Sequence, residues 1–160
     1  MFFKYLPIFI VLLLHTTTSK ADDTDLSEVK NQVLSAFESL IIASKSLDPE
    51  SYFQHFDKNK FIGLNSDGTN WNSIDELVPL IIGGFDSINK VNHLEFTNVK
   101  VSVIDLYTAI LVNEYKQSIT LKNGSTINLA GGGAQVWSKH SGQWKLVSVS
   151  ASNKPNISLP

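Results

Sequence analysis

The sequence predicts an α+β domain in which about three helices lie against one face of a curved antiparallel sheet. Four long strands and a short hairpin nearer the N-terminus make up that sheet. Two observations carry the prediction. From Lys90 to Ser152 the chain reads as four consecutive runs rich in Val, Ile, Thr, Tyr and Trp, divided by turn signals at Asp105-Leu106, Asn123-Gly124 and Ser141-Gly142. Earlier, Leu26, Val29, Val33, Ala36, Phe37, Leu40 and Ile41 recur at three- and four-residue spacing, which sets them on one helical face. Helices grouped on one side of an antiparallel sheet define the α+β class.

The first segment, Met1–Ala21, reads as an export signal cleaved after Ala21. It carries one basic residue (Lys4), an apolar run from Tyr5 to Leu14, and the ending Ser19-Lys20-Ala21. That run is about half of the ~20 residues needed to span a bilayer, and nothing later is long and apolar enough to do so. The expectation is a secreted or periplasmic protein with no membrane association after cleavage. Its sequence contains no Cys, so its stability rests on packing and not on disulfides.

Residues 22–152 form one domain. Asp25 and Glu28 resemble a capping box at the start of an amphipathic helix of about five turns. Asp48 caps a second, short helix with Pro49 at its first position, and Tyr52, Phe53 and Phe56 make it aromatic. Lys60–Leu64 and Thr69–Trp71 read as a small hairpin around the turn Asn65-Ser66-Asp67-Gly68. Ser73 and Glu76 form a second capping box ahead of Ile74, Leu77, Val78, Ile81, Ile82 and Phe85. Pro79 inside that helix should kink it, and Gly83-Gly84 weakens its end. The four strands follow over Val91–Ile104, Tyr107–Leu121, Thr126–Lys139 and Gln143–Ala151. Asn153–Pro160, with two prolines and little to bury, reads as a loose tail.

Charge narrows the function classes. A net charge of −2 with 18% charged residues leaves no electrostatic footprint for nucleic acid or an anionic membrane. All 13 basic residues are Lys, so the bidentate fork that grips phosphate and carboxylate is missing. Sequons stand at Asn123-Gly124-Ser125 and Asn156-Ile157-Ser158; the first is read as a hairpin turn.

Several segments together resemble the nuclear transport factor 2-like superfamily, and within it SnoaL-like and ketosteroid-isomerase-like domains. They are Phe61-Ile62-Gly63-Leu64-Asn65-Ser66-Asp67-Gly68, Ser73-Ile74-Asp75-Glu76-Leu77, Tyr107-Thr108-Ala109-Ile110-Leu111, and Gln135-Val136-Trp137-Ser138-Lys139 followed by Gly142-Gln143-Trp144-Lys145-Leu146-Val147. The resemblance covers nearly all of the chain after residue 21. It implies a cone-shaped fold whose curved sheet and helices enclose a pocket, in a homodimer joined through sheets. It does not imply one activity, since such domains include isomerases, cyclases, dehydratases and binding or assembly modules. Many relatives carry histidines on the last strand; here the stretch is Ser148-Val149-Ser150-Ala151-Ser152, and hydroxyls alone are poor proton shuttles.

Asn-Gly between alternating runs predicts a two-residue type I′ turn, pairing Lys122 with Ser125. That register places Leu111, Asn113, Tyr115, Gln117 and Ile119 on one face with Ala130, Gly132, Ala134 and Val136, and later Val147, Val149 and Ala151. This face is assigned to the helices and pocket, with Tyr115 lying over Gly132. The opposite face, including Glu114, Gln135, Trp137, Trp144, Leu146 and Ser148, is assigned to a dimer surface. A bulge in Gly131-Gly132-Gly133 would exchange part of the two faces.

Candidate chemistry is sparse. Asp67 is either a general base at a pocket mouth or the third residue of its turn, and turn chemistry favours the second. Asp57 reads as a solvated helix-end charge. Among His55, His93 and His140, His55 is the best acid–base candidate because aromatics flank it, with a partly exposed helix histidine as the plainer reading. No histidine spacing suits a metal, and no motif calls for a cofactor. Tyr52, Phe56, Trp71, Asn113, Tyr115 and Gln117 are the candidate ligand-binding residues; for the aromatic ones, ordinary core packing is an equal alternative. Three readings follow. The first is an exported domain binding a small apolar molecule. Its rivals are an isomerase- or dehydratase-type enzyme using Asp67 or His55, and an interaction module using the sheet face.

Overall fold

The computed structural model of the chain describes residues 21–155. The export signal therefore lies outside the described residues except for Ala21, as does the sequon at Asn156. Helix α1 (Ala21–Ser46) is followed by α2 (Pro49–Phe53), β1 (Ile62–Leu64), β2 (Asn70–Trp71), α3 (Ile74–Ser87), β3 (Ile88–Asp105), β4 (Thr108–Leu121), β5 (Thr126–Ser138) and β6 (Lys145–Asn153). This is the expected α+β order, with about three helices and a curved, unclosed sheet.

Local chemistry explains most boundaries. Helix α1 buries Val29, Val33, Phe37, Leu40 and Ala43, one stripe at helical spacing. It begins at Ala21, so Asp25 sits inside the first turns and does not cap them. At α2 the Asp48 carboxylate accepts the backbone N–H of Glu50 at 3.0 Å and of Ser51 at 3.3 Å. The Ser51 hydroxyl first, and then these backbone bonds, hold the carboxyl below its ordinary pKa. The expected Ser73–Glu76 box at α3 does not form. Ser73 makes no side-chain capping bond, and Glu76 reaches back to the N–H of Asn72, not Ser73, at 2.8 Å.

The sheet runs β2-β1-β6-β5-β4-β3. Every pairing is antiparallel except β1 with β6, which is parallel and joins the small hairpin to the four-stranded meander. Register shifts interrupt β3 at four places, and at one of them Asn98 adopts φ 52°. Bulges of this kind add twist and bend to the strand that carries them.

The β4–β5 turn differs from the sequence expectation and changes the faces. Leu121 N–H donates to Ser125 O at 2.8 Å and Gly124 N–H to Leu121 O at 2.9 Å. Gly124 has φ +86°, whereas Asn123 does not enter the left-handed region. The loop is therefore three residues, Lys122 to Gly124, a turn closed by one left-handed glycine and not a two-residue type I′ turn. The outermost pair becomes Thr120–Thr126. A one-residue slip moves every side chain of β5 to the other face.

Leu111 now faces Gln135, Asn113 faces Gly133, and Tyr115 faces Gly131 in place of Gly132. No register shift occurs between β4 and β5 across the three glycines. The bulge lies instead between β5 and β6, where Val136 pairs Ser148 but Trp137 pairs Leu146. It returns Leu146 to the inner face, where it is 1% exposed. Trp137 and Gln135, expected on a dimer surface, are buried on the helix side, Trp137 completely. Trp144 is half-buried and its indole donates to Gln32 of α1 at 2.9 Å. Glu114 and Ser148 do lie on the outer face, opposite Gly132 and Val136 respectively.

One core results. Val33, Phe37, Phe61, Leu111, Trp137 and Leu146 pack between α1 and the sheet, with Phe56 and Leu77 closing its side. The chain stays anchored beyond residue 152: Asn153 belongs to β6, and Lys154 N–H donates to Ala130 O at 2.7 Å. No helix among the described residues is long and apolar enough to cross a membrane.

Candidate functional site: a cavity between sheet and helices

Beyond the Trp137 end of the core, the inner-face positions of β5 change from large side chains to Gly133 and Gly131, with Gly132 between them on the outer face. With no side chains there, the helices stand off and leave a cavity of about 280 Å³. That is at the small end of the ~300–1,000 Å³ usual for ligand sites. Its roof is Ser44 and Leu47 after the last buried turn of α1, Tyr52 of α2 and Phe85 of α3. Val91, Leu94 and Phe96 of β3 form one wall, and Val149 and Ala151 of β6 the other. Its floor is Asn113, Tyr115 and Gln117 of β4 with Gly132, Gly133 and Gln135 of β5.

Most of this surface is apolar, and its polar groups are few and fixed. Tyr52 stacks edge-on against Phe53 and Phe85, with centroids 5.3 and 5.5 Å away. Burial pushes its phenol up to about 12, so it stays protonated and serves only as a neutral hydroxyl. Burial also raises the Tyr115 phenol. Its hydroxyl is engaged, donating to Asn153 Oδ1, while the Asn153 amide donates to Ser66 Oγ at 3.1 Å. Gly131 is what allows Tyr115 to lie flat there. A Cβ on Gly131 would come within 2.0 Å of the Ser152 carbonyl oxygen and 2.6 Å of the Tyr115 hydroxyl.

Two amides complete the floor. Gln135 Oε1 accepts the Trp137 indole N–H at 2.9 Å in the buried interior. Asn113, only 7% exposed, keeps its Oδ1 buried with no hydrogen-bond partner. It is the one such buried side-chain atom among the described residues. A carbonyl oxygen withdrawn from water without a partner costs about 1–3 kcal/mol. A second depression, about 610 Å³ beside Pro49, Phe53, Lys58 and Ile82, offers no comparable group.

The structure thus brings Tyr52, Asn113, Tyr115 and Gln117 to one cavity. Phe56 lies in the solid core, and Trp71 on β2 packs over Gly63. Asp67 is in its exposed turn, where it accepts the N–H and hydroxyl of Thr69 at 2.9 and 2.6 Å; these bonds lower its pKa. His55 lies beyond α2, its pKa lowered by burial and then by Lys145. Neither lines the cavity. His140 stacks on Tyr107 at 5.3 Å. Among the described residues no three His, Cys, Asp or Glu side chains are grouped to hold a metal. Gln135 was missed as a cavity residue because the turn length was misread. The run of three glycines on a strand was the available signal for the hollow itself.

The family model described as SnoaL-like domain matches residues 33–156. The chain belongs to that family. This SnoaL-like domain is also similar to solved structures at the level of fold. A nuclear transport factor 2-like superfamily protein from Salmonella enterica serovar Typhimurium superposes with TM-score 0.71 at 18% identity, over 84% of this chain and 98% of that one. A candidate dehydratase of the same superfamily from Streptomyces avermitilis gives 0.68 at 18% identity, over 83% and 98%. The association domain of C. elegans CaMKII gives 0.65 at 22% identity, over 81% and 98%. No curated protein matches the chain.

Proposed function

We propose that this SnoaL-like domain binds a small, mostly apolar, uncharged molecule in the cavity between sheet and helices. The observation that carries the reading is a mostly apolar hollow whose polar lining is all uncharged: Ser44, Tyr52, Asn113, Tyr115, Gln117 and Gln135. None of the residues lining the cavity is Asp, Glu, His, Lys or Arg. A charged ligand would lose its hydration there with no counter-charge to offset it. The acid–base enzyme is supported less well, because Asp67 and His55 stand outside the cavity and the Tyr115 proton is already donated. Mass spectrometry of gently purified protein, together with a thermal-shift screen of apolar metabolites, tests the reading. A co-purifying or stabilising neutral ligand is expected; two empty results would remove it.

A second reading is favoured by the outer sheet face. Ile62, Leu64, Ile110 and Val112 are all at least 36% exposed there, in two rows that also carry Ser148, Ser150 and Ala134. We infer that a second copy of the chain covers this apolar, hydroxyl-rich surface, as a homodimer. Light scattering on wild type and Val112→Lys checks it: a dimer and a monomer are expected, and monomeric wild type would sink the idea. Export is likewise part of the proposal, and N-terminal sequencing of the mature protein should begin at Asp22.

A further inference from the structure

Tyr52 meets the cavity from α2 with its ring held on three sides, edge-on by Phe53 and Phe85 and tilted against Phe56 at 5.0 Å. A buried tyrosine hydroxyl ordinarily finds a partner, yet this one makes no hydrogen bond among the described residues. Nor is it sealed off, since Asn113 Oδ1 is the one buried side-chain atom there that lacks both a partner and open surface. The Tyr52 oxygen therefore keeps open surface. The desolvation that raises its phenol sets that surface away from bulk solvent, on the cavity it lines.

The neighbouring polar groups are already committed or lean the same way. The Tyr115 proton goes to Asn153, and the Ser44 hydroxyl donates to Leu40 O at 2.9 Å. Gln135 has given its carbonyl oxygen to the Trp137 indole, which leaves only its NH2. Asn113 keeps its oxygen out of reach. Gln117 stands further out, opposite Leu129, which is 37% exposed. The inner part of the cavity thus offers donors and withholds the amide oxygens that would accept.

We propose that Tyr52 is the recognition residue of this cavity, donating its hydroxyl proton to the carbonyl oxygen of a neutral cyclic ketone. This rests on the cavity reading above and adds the chemical class. One protein group meets one ligand oxygen, and the ring body needs only apolar surface such as Leu94, Phe96 and Val149. A ketone accepts and brings no donor of its own, whereas an alcohol brings a proton for which the inner amides offer no oxygen. A hydrocarbon leaves the Tyr52 proton unpaired. With no carboxylate or imidazole in the lining, the bond orients the ligand and does not by itself enolise it.

Calorimetric titration of wild type and Tyr52→Phe with 1-tetralone and tetralin, a ketone and a hydrocarbon of nearly the same shape, tests the assignment. The substitution deletes the hydroxyl and keeps the ring among its three aromatic neighbours. It should weaken 1-tetralone about 3–10-fold and leave tetralin unchanged or tighter. The infrared carbonyl band of bound 1-tetralone should lie below its position in cyclohexane and move back toward it in the variant. Unchanged ketone affinity in Tyr52→Phe, or an equal loss for both compounds, would overturn the role of the hydroxyl and leave the cavity reading standing. A band at the cyclohexane position in wild type would do the same, and it decides alone should the variant not fold. Failure of both compounds to bind wild type would overturn both readings.

Discussion

The two halves of β5 face the same helices and are filled in opposite ways. Toward its C-terminal end, Trp137 is wholly buried against Ala109, Leu146 and the α1 stripe, and Gln135 is locked by the indole N–H. Toward the middle, the inner-face positions are Gly133, which borders the cavity, and Gly131, which lies under Tyr115. One strand thus supplies both the most solid and the emptiest part of the inner face. Side-chain volume along a single strand decides where a helix-covered sheet packs and where it holds a ligand. A close-packed interior tolerates no such gap by accident, because unfilled space forfeits contacts on every side.

Substitutions at the two ends should separate these regimes. The largest effect is expected for Trp137→Ala, which removes a fully buried aromatic and orphans the Gln135 carbonyl. A loss of about 3–5 kcal/mol is expected from urea unfolding. A loss below ~1 kcal/mol would mean that this end is not the solid core described.

Gly131→Ala should come next, at about 1–3 kcal/mol, since the new methyl meets the Ser152 carbonyl oxygen at 2.0 Å. Removing the Tyr115 ring as well should not restore stability, because the nearest obstacle is backbone. The same change at Gly133 meets only the Ser150 carbonyl oxygen at 3.3 Å and Asn113 Oδ1 at 3.8 Å, and should cost distinctly less. Equal costs at the two glycines would erase the distinction between a close approach and an open floor.

Tyr115→Phe keeps the ring over Gly131 but deletes the bond to Asn153 that ties the end of β6 to β4. A loss of about 1 kcal/mol is expected by thermal unfolding, together with faster amide exchange at Asn153 and Lys154.

The smallest effect concerns pH. Burial and Lys145 depress the folded-state pKa of His55 below its ordinary 6.5. The unfolded chain therefore takes up the proton first as pH falls. Stability is complete above about 6.5 and declines through the lower folded-state value. His55→Gln should flatten the stability profile in that window, and an unchanged profile would assign the dependence elsewhere. No lining residue titrates there, so neutral-ligand affinity should stay flat across the same range.

Much of the fold was legible because it depends on local chemistry. The α1 stripe, the Asp48 cap with Pro49 behind it, and the glycine turns at Gly68, Gly124 and Gly142 each announce themselves within a few residues. Tyr52, Asn113, Tyr115 and Gln117 were nameable as site candidates because polar and aromatic residues stood out on an alternating strand. The role of Asn113 was not legible. Its unpaired oxygen follows from what surrounds it in space, not from its neighbours in sequence.

By itself, then, the sequence determined the order of elements, the places where the chain reverses, and which strand would be bare of side chains. Only the tertiary structure decided which face of the sheet is inside. Strand side chains alternate with a period of two, so a three-residue loop in place of a two-residue one exchanges inside for outside. That choice is set by whether Trp137 finds a core to fill. It moved Trp137 and Gln135 from an imagined surface to the interior, where Gln135 borders the cavity.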